Sequence, residues 1–267
     1  MIDREILRVE GLSASYGKQE ILHHINFSIA EGQLCALLGV NGVGKTMLMK
    51  SVAQRLPHTG YCYCGEAVLE RLKSKDLAKR ISYIPQRSGL QLSLPVLDVV
   101  LMGFNPQLKL LEHPSSLQKK KAETALDAVG LGFAVNADYQ TLSEGQKQLV
   151  YLARTLIEDS PLLLLDEPDS ALDPQNRHQI LRQLKQLVED SERAGLLCLH
   201  DPQLALEFCD KLILLKDGSV FAEIYPQKDS IERIEEAFCM LYGAVEVAEH
   251  QDQRGKKHLI LLWEDVE

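Results

Sequence analysis

The sequence predicts an α/β domain built on a largely parallel β-sheet, and three features of its 267 residues carry that expectation. First, several short apolar runs lack polar alternation: Leu34–Leu38, Ile81–Ile84, 162–165, 196–199 and 212–215. A strand buried on both faces needs apolar side chains at successive positions, which is how strands read in a parallel sheet covered by crossover helices. Second, helical patterns lie between several of these runs, the alternation that builds such a sheet. In the stretch 175–193, Ile180, Leu181, Leu184, Leu187 and Val188 form one apolar stripe with charges opposite, so this helix leans on the sheet. Third, 45% of the residues are hydrophobic, enough for a substantial core at this length.

Composition also excludes some functions. Lys and Arg total 29 against 38 Asp and Glu, a net charge of −9, so a nucleic acid held through many phosphate contacts is not expected. Any phosphate recognition must be local. Uninterrupted apolar runs such as 162–165 and 259–263 fall far short of the roughly 18 residues that a membrane helix needs. Met1-Ile2-Asp3-Arg4-Glu5 carries both signs of charge and no apolar segment, so no secretory signal is expected and the cytoplasm is the predicted compartment. Six cysteines at irregular spacing, with no C-x-x-C pair, read as reduced thiols. Cys62 and Cys64 flank Tyr63 in a strand-like stretch and would share one sheet face, where a packing role is favoured over a metal.

Along the chain, the run Leu34–Leu38 ends at Gly39, and Met47, Leu48 and Val52 follow with helical spacing, giving strand, glycine loop and helix. From 95 to 156 the pattern changes to helices and polar loops broken at Asn105-Pro106 and His113-Pro114. This segment predicts a helical lobe inserted between strands, with Lys119-Lys120-Lys121 a solvated helix start. Beyond Gly218 a charged helix over 230–241 precedes two strand-like stretches, 245–248 and 258–263, joined by a polar turn around Gly255. His23-His24 reads as ordinary strand or loop sequence.

Two motifs carry chemistry. Gly39-Val40-Asn41-Gly42-Val43-Gly44-Lys45-Thr46 fits G-x-x-x-x-G-K-[ST] between a strand and a helix. Its glycines let backbone N–H groups curl around an anion at a helix N-terminus, where the helix dipole also favours negative charge. Lys45 would then reach the β and γ phosphates of ATP, and Thr46 would give its hydroxyl to Mg²⁺. The second motif, Leu162-Leu163-Leu164-Leu165-Asp166-Glu167, delivers two carboxylates at a strand's C-terminal end, where ligands of open α/β sheets collect. Asp166 would hold Mg²⁺, and Glu167 would orient water and accept its proton.

With these motifs in place the chain resembles the ATP-binding-cassette (ABC) transporter ATPases over nearly its whole length. The most specific mark is Leu142-Ser143-Glu144-Gly145-Gln146, which is similar to that family's LSGGQ signature and lies upstream of Asp166-Glu167. The resemblance implies a P-loop NTPase (RecA-like) core with a mostly parallel sheet, an N-terminal antiparallel β subdomain and an inserted helical signature lobe. Ser143, Gly145 and Gln146 would contact nucleotide held by the opposite subunit, so a homodimer or paired cassette subunit is implied. Glu144 stands where the family has a central glycine and, unless it points away, would weaken closure around the nucleotide. Tyr83-Ile84-Pro85-Gln86 resembles the Q-loop, with Gln86 near Mg²⁺ and the attacking water. Ser170-Ala171-Leu172-Asp173 resembles the D-loop that crosses the dimer interface, and His200, closing the run 196–199, resembles the switch histidine at the γ phosphate. Tyr16 is similar in position to the aromatic residue that stacks on adenine.

A single cassette with no fused membrane segment resembles importer subunits more than exporters or two-cassette translation factors. Leu94-Pro95-Val96-Leu97-Asp98-Val99-Val100-Leu101-Met102-Gly103 and the closing Leu241-Tyr242-Gly243-Ala244-Val245-Glu246-Val247 resemble the iron-chelate, haem and cobalamin uptake group. The charged stretch 249–257 and Pro202, two residues past His200, depart from it. The implied partners are an integral membrane permease and, through it, a substrate-binding protein, with the chain peripheral on the inner face of the membrane. A permease helix would dock near Gln86 and 94–103, with Val99 and Met102 lining the groove. One ABC ATPase domain over 1–267 is expected, with a nucleotide-binding core at 1–94 and 157–220, a helical lobe at 95–156 and a C-terminal extension at 221–267. A soluble ATPase that remodels a cytoplasmic partner, as in iron–sulfur assembly, and a non-hydrolysing nucleotide-binding scaffold stand as alternatives.

Overall fold

The computed structural model describes residues 4–86, 93–109, 111–170, 172–255 and 257–263. Parts of the expected N-terminal segment and of the charged tail, together with Ala171 of the D-loop, lie outside the described residues. Strands β1 (Glu5–Tyr16) and β2 (Gln19–Ala30) pair antiparallel, and β3 (Leu34–Leu38) leads through the glycine loop into α1 (Lys45–Val52). Then come β4 (Thr59–Cys64), β5 (Ala67–Val68), α2 (Ser74–Ala78) and β6 (Ile81–Ile84). The helical segment holds α3 (Val96–Leu101), α4 (Ser116–Ala128) and α5 (Glu144–Ile157). Strand and helix alternate again in β7 (Leu162–Asp166), α6 (Pro174–Asp190), β8 (Ala194–Cys198), α7 (Pro202–Phe208) and β9 (Lys211–Lys216). The chain closes with β10 (Ser219–Ile224), α8 (Ile231–Tyr242) and the hairpin of β11 (Val245–Gln251) and β12 (Lys257–Trp263).

The central sheet runs β10-β9-β3-β8-β7-β6, parallel throughout except for antiparallel β10, and a second, antiparallel sheet runs β2-β1-β4-β5. β3, β7 and β8 are buried at every position, as their unbroken apolar sequences require. Successive side chains enter different cores. Leu34, Ala36 and Leu38 pack with α6, α7, α8 and the helical segment, whereas Cys35 and Leu37 pack with α1 and the antiparallel sheet. The strand expected over 196–199 lies slightly earlier, because its ladder ends where Cys198 pairs with both Leu37 and Asp166. Leu199 and His200 therefore fall in the loop that follows.

Within the helical segment α3 packs on α4 and α5, and Val99 is fully buried among them. The expectation that Val99 lines a docking groove is corrected here: its apolar neighbours consume its surface, while Met102 remains partly exposed. Lys119, Lys120 and Lys121 are exposed along α4, as a solvated run should be. The C-terminal hairpin is tied to α7 through both ends of one amide. Gln203 Nε2 donates to the Leu259 carbonyl at 2.9 Å, and Gln203 Oε1 accepts from the Leu261 N–H at 2.9 Å.

Candidate nucleotide site

The glycine loop is shaped by close approach as well as by dihedral freedom. A Cβ on Gly39 would lie 2.6 Å from the Leu215 carbonyl oxygen, so no larger residue fits against β9. Gly44, the N-cap of α1, holds φ at 107°, a conformation that L side chains rarely adopt. Lys45 and Thr46 consequently open α1 with free N–H groups beside them. Asn41, Gly42, Gly44, Lys45 and Thr46 line one open cavity of about 350 Å³, joined by Glu167 just past β7, by His200 in the loop after β8 and by Tyr16 from β1. Tyr16 is 79% exposed, which leaves its ring face available to a flat partner. A larger cavity of about 780 Å³ lies at α4, near Phe104, Leu117 and Arg193. It contains none of the predicted chemistry, so size is a poor guide to the site in this protein.

Asp166 is 1% exposed; its Oδ1 accepts from the Thr46 hydroxyl at 3.2 Å, while its Oδ2 is buried without a hydrogen-bond partner. Burial raises the Asp166 pKa, opposed by hydrogen bonds to Cys198 and Thr46. An uncompensated carboxylate oxygen beside a hydroxyl is a hard oxygen donor set of the kind that suits Mg²⁺. Lys45 is also buried, and its Nζ donates to the Gly39 carbonyl at 2.6 Å and the Val40 carbonyl at 3.3 Å. Burial lowers its pKa, against the pull of neighbouring acidic groups that include Glu167 and Asp166.

Glu167 is the most constrained residue of the cavity. It holds φ at 54°, uncommon for a residue with a side chain, and is 8% exposed. Its Oε2 accepts from Gln86 Nε2 at 2.5 Å, and its Oε1 lies 2.6 Å from His200 Nε2. Its backbone carbonyl accepts from Gln148 Nε2 at 3.0 Å and from the Ser170 hydroxyl at 3.2 Å. The three residues expected to be catalytic, Glu167, His200 and Gln86, are thus in direct contact. Gln86 places its amide nitrogen on Glu167.

Ser143, Gly145, Gln146 and Asp173 do not line this cavity. Ser143 caps α5 reciprocally with Gln146: the Ser143 hydroxyl accepts from the Gln146 N–H at 3.2 Å, and Gln146 Oε1 accepts from the Ser143 N–H at 3.0 Å. Glu144, 71% exposed, pairs with Lys147 at 2.8 Å, so its carboxylate points to solvent with a cation beside it. Asp173 caps α6 through the Asn176 N–H at 2.9 Å. The departure at Asp201-Pro202 is a helix start: Asp201 accepts from the Gln203 N–H at 2.9 Å and Pro202 takes the first position of α7.

Sequence reasoning missed Gln148, Cys198 and Asp169. Gln148 lies four residues after Glu144 and three after Gly145, so helical spacing alone puts it on the signature's face of α5. Asp169 is 3% exposed with Oδ1 unpartnered, and burial raises its pKa; its position in Asp166-Glu167-Pro168-Asp169 was the available signal.

A glycine loop between parallel strand β3 and α1, with Asp166 and Glu167 together at the end of β7 in the same sheet, is the arrangement of a P-loop ATPase cassette. Residues 22–170 match the family model described as ABC transporter. The chain is 35% identical over 221 residues to the iron chelatin transport ATP-binding protein of Helicobacter pylori, covering 82% of this chain and 86% of the relative. It is also 35% identical over 231 residues to the hemin import ATP-binding protein HmuV of Pseudomonas entomophila, covering 84% and 88%. Among solved structures, an inward-facing metal-chelate type ABC transporter superposes with a TM-score of 0.79 at 25% identity, covering 97% of this chain and 98% of that one. A dimeric ATP-binding cassette bound to ADP and Pi superposes with a TM-score of 0.74 at 27% identity, covering 82% and 98%. The chain belongs to the ABC transporter family, and it is an ATP-hydrolysing cassette of that family. No helix among the described residues is long and apolar enough to cross a membrane.

Proposed function

We propose that this chain is the ATPase subunit of an importer and that it energises uptake of an iron–siderophore, haem or cobalamin-type substrate through a separate permease. The observation that supports it most is Glu167 held between Gln86 and His200 beside the Asp166–Thr46 pair. Tyr16 stacks on adenine, and the N–H groups around Gly39, Asn41, Gly42 and Gly44 cradle the phosphates. Lys45 exchanges its loop carbonyls for the β and γ phosphates. Thr46 and Asp166 would hold Mg²⁺, with Gln86 beside Glu167 serving the same ion, and the metal would supply neutralisation of phosphate charge. Glu167 orients water and takes its proton as the water oxygen bonds to the γ phosphorus and the bond to the β–γ bridging oxygen breaks, releasing ADP. His200 and Gln86 hold that carboxylate in line.

Ser143, Gly145 and Gln146 act on the nucleotide of a second cassette, and Asp173 with the D-loop lies at the junction of the two chains. The functional unit is therefore a homodimer or a paired cassette, docked on the inner face of the cell membrane through its permease and served indirectly by a binding protein. We retain the division into core at 1–94 and 157–220, helical lobe at 95–156 and extension at 221–267. The deciding experiment is affinity purification of the full chain from its native membranes, followed by ATPase assays with candidate iron chelates. Recovery of a polytopic membrane protein, with turnover stimulated by one chelate and its binding protein, supports the reading. Recovery of a soluble assembly complex instead would overturn it.

A further inference from the structure

Away from the nucleotide cavity, His58, Cys62 and Glu70 bring a nitrogen, a sulfur and an oxygen to within 4.8 Å of one another. They come from three places in the chain. His58 lies between α1 and β4, Cys62 is in β4, and Glu70 is in the single turn after β5. The spacing H-x3-C-x7-E matches no familiar metal signature, which is why the cysteine pattern alone gave no sign of it. We infer that these three side chains form a divalent cation site of the zinc class, stapling the end of α1 to the antiparallel sheet.

The orientation of the ligands carries the argument. The His58 ring is held through Nδ1, 3.1 Å from the Leu56 carbonyl oxygen; a carbonyl only accepts, so Nδ1 bears the hydrogen. Nε2 then faces Glu70 Oε1 at 3.0 Å and Cys62 Sγ at 4.0 Å. The positive centre that this contact calls for is a proton on Nε2 or a metal ion, and the buried Cys62 Sγ beside both supplies the third donor atom that a metal would use. The same Glu70 Oε1 accepts from the Cys62 backbone N–H at 2.8 Å and from Gln54 Nε2 at 3.2 Å, which fixes the carboxylate in place. Outer partners that fix the histidine tautomer and aim the carboxylate are what metal ligands characteristically possess. Zinc bonds of about 2.0–2.3 Å in a tetrahedron separate ligand atoms by about 3.3–3.6 Å, between the 3.0 and 4.0 Å seen here. The mixed nitrogen, sulfur and oxygen set suits zinc over magnesium or calcium, which prefer oxygen alone. Cys62 is fully buried, the His58 side chain is 3% exposed and that of Glu70 is 23% exposed, so water has access only from the glutamate side. Water on that side completes four ligands.

Gln54 follows α1 closely, so the site ties the phosphate-loop helix to the second sheet without touching nucleotide. The test uses the full chain, stripped of metal with a chelator and kept free of nucleotide and Mg²⁺. Zinc is titrated against a chromophoric competitor, and Co²⁺ is added separately while thiolate-to-cobalt absorption is recorded. The expected result is one ion per chain with a thiolate band and a raised melting temperature. The band should vanish in Cys62→Ser and persist in the control Cys239→Ser, which alters an exposed free thiol. Glu70→Gln and His58→Gln should weaken affinity at least about tenfold. If the stripped wild type binds no stoichiometric ion, or if Cys62→Ser binds as well as wild type, the inference is wrong. His58 found doubly protonated by NMR in zinc-treated protein also overturns it, since the ring would then be an imidazolium paired with Glu70. Circular dichroism of each variant keeps loss of binding separate from loss of fold.

Discussion

The two regions proposed to meet nucleotide are built on opposite principles. In the first, the phosphate loop with Asp166, Glu167 and His200, the charged groups Lys45, Asp166 and Glu167 are buried while Val40, Asn41, Gly42 and His200 stay exposed, Glu167 is strained and Asp166 Oδ2 is unsatisfied. The start of α5, with Ser143, Glu144 and Gln146, is exposed and closed on itself by a reciprocal cap and a local ion pair. The first holds a buried carboxylate oxygen without a partner, which a cation or a proton would relieve; the second satisfies its polar groups locally. A hydrogen bond from Gln148 of α5 to the carbonyl of Glu167 joins the two. Removing groups from the first region should change chemistry, and from the second should change assembly.

The largest effect is expected at Glu167→Gln, which keeps shape but cannot take a proton. Turnover should fall by at least about 10²- to 10⁴-fold, while ATP binding persists and an ATP-dependent dimer accumulates in light scattering. Near wild-type turnover would move the base elsewhere, with His200 the first candidate. Lys45→Ala should come next, weakening ATP about 10- to 150-fold, the worth of a charge-assisted hydrogen bond of about 1.5–3 kcal/mol, measured by equilibrium binding to the monomer. Equal affinity would refute the assignment of the loop.

Ser143→Arg sharpens the contrast, because it should abolish turnover with monomer ATP affinity unchanged. Since it also removes a helix cap worth about 1 kcal/mol, Ser143→Asp serves as its companion. The aspartate restores the cap yet adds charge against phosphate, so recovery of stability without recovery of turnover separates the two roles. Glu144→Gly should act more gently. Loss of an exposed pair and the gain of a helical glycine cost about 1 kcal/mol in a thermal melt, while the ATP-bound dimer of the Glu167→Gln background should become tighter. No tightening would mean that Lys147 already cancels the carboxylate.

The smallest expected effect concerns Asp166 in the nucleotide-free protein. Its folded pKa is raised by burial, so the folded state prefers the protonated form. Stability from this group is present at acid pH and is lost as pH rises from the ordinary carboxylate value of 3.8 through the raised folded value. Asp166→Asn should therefore stabilise the nucleotide-free chain increasingly with pH, read from denaturant midpoints, although it removes hydrolysis. A constant difference across pH would show that the charge is compensated.

Much of this was legible in the sequence, for stated reasons. Unbroken apolar runs such as Leu34–Leu38 must be buried on both faces, and the glycine loop admits little but a phosphate cradle between a strand and a helix. Val99 was misjudged because an apolar helical residue looks alike whether it faces a partner or a neighbouring helix; α4 and α5 decide which. Glu144 stands alone in a linear motif, and only helical spacing shows that Lys147 lies one turn on, where it pairs with that carboxylate.

By itself the sequence determined which local shapes were available and which chemical groups stood at their ends: strand, loop and helix around Lys45 and Thr46, and two carboxylates closing β7. These follow from periodicity, glycine conformation and caps, all set by residues a few positions apart. Only the tertiary structure decided contacts between distant segments, because parallel register, not spacing, aligns Asp166 with Cys198 and brings Gln86 and His200 onto Glu167. The same holds for His58, Cys62 and Glu70, separated in sequence and joined only because β4 folds back beside the end of α1.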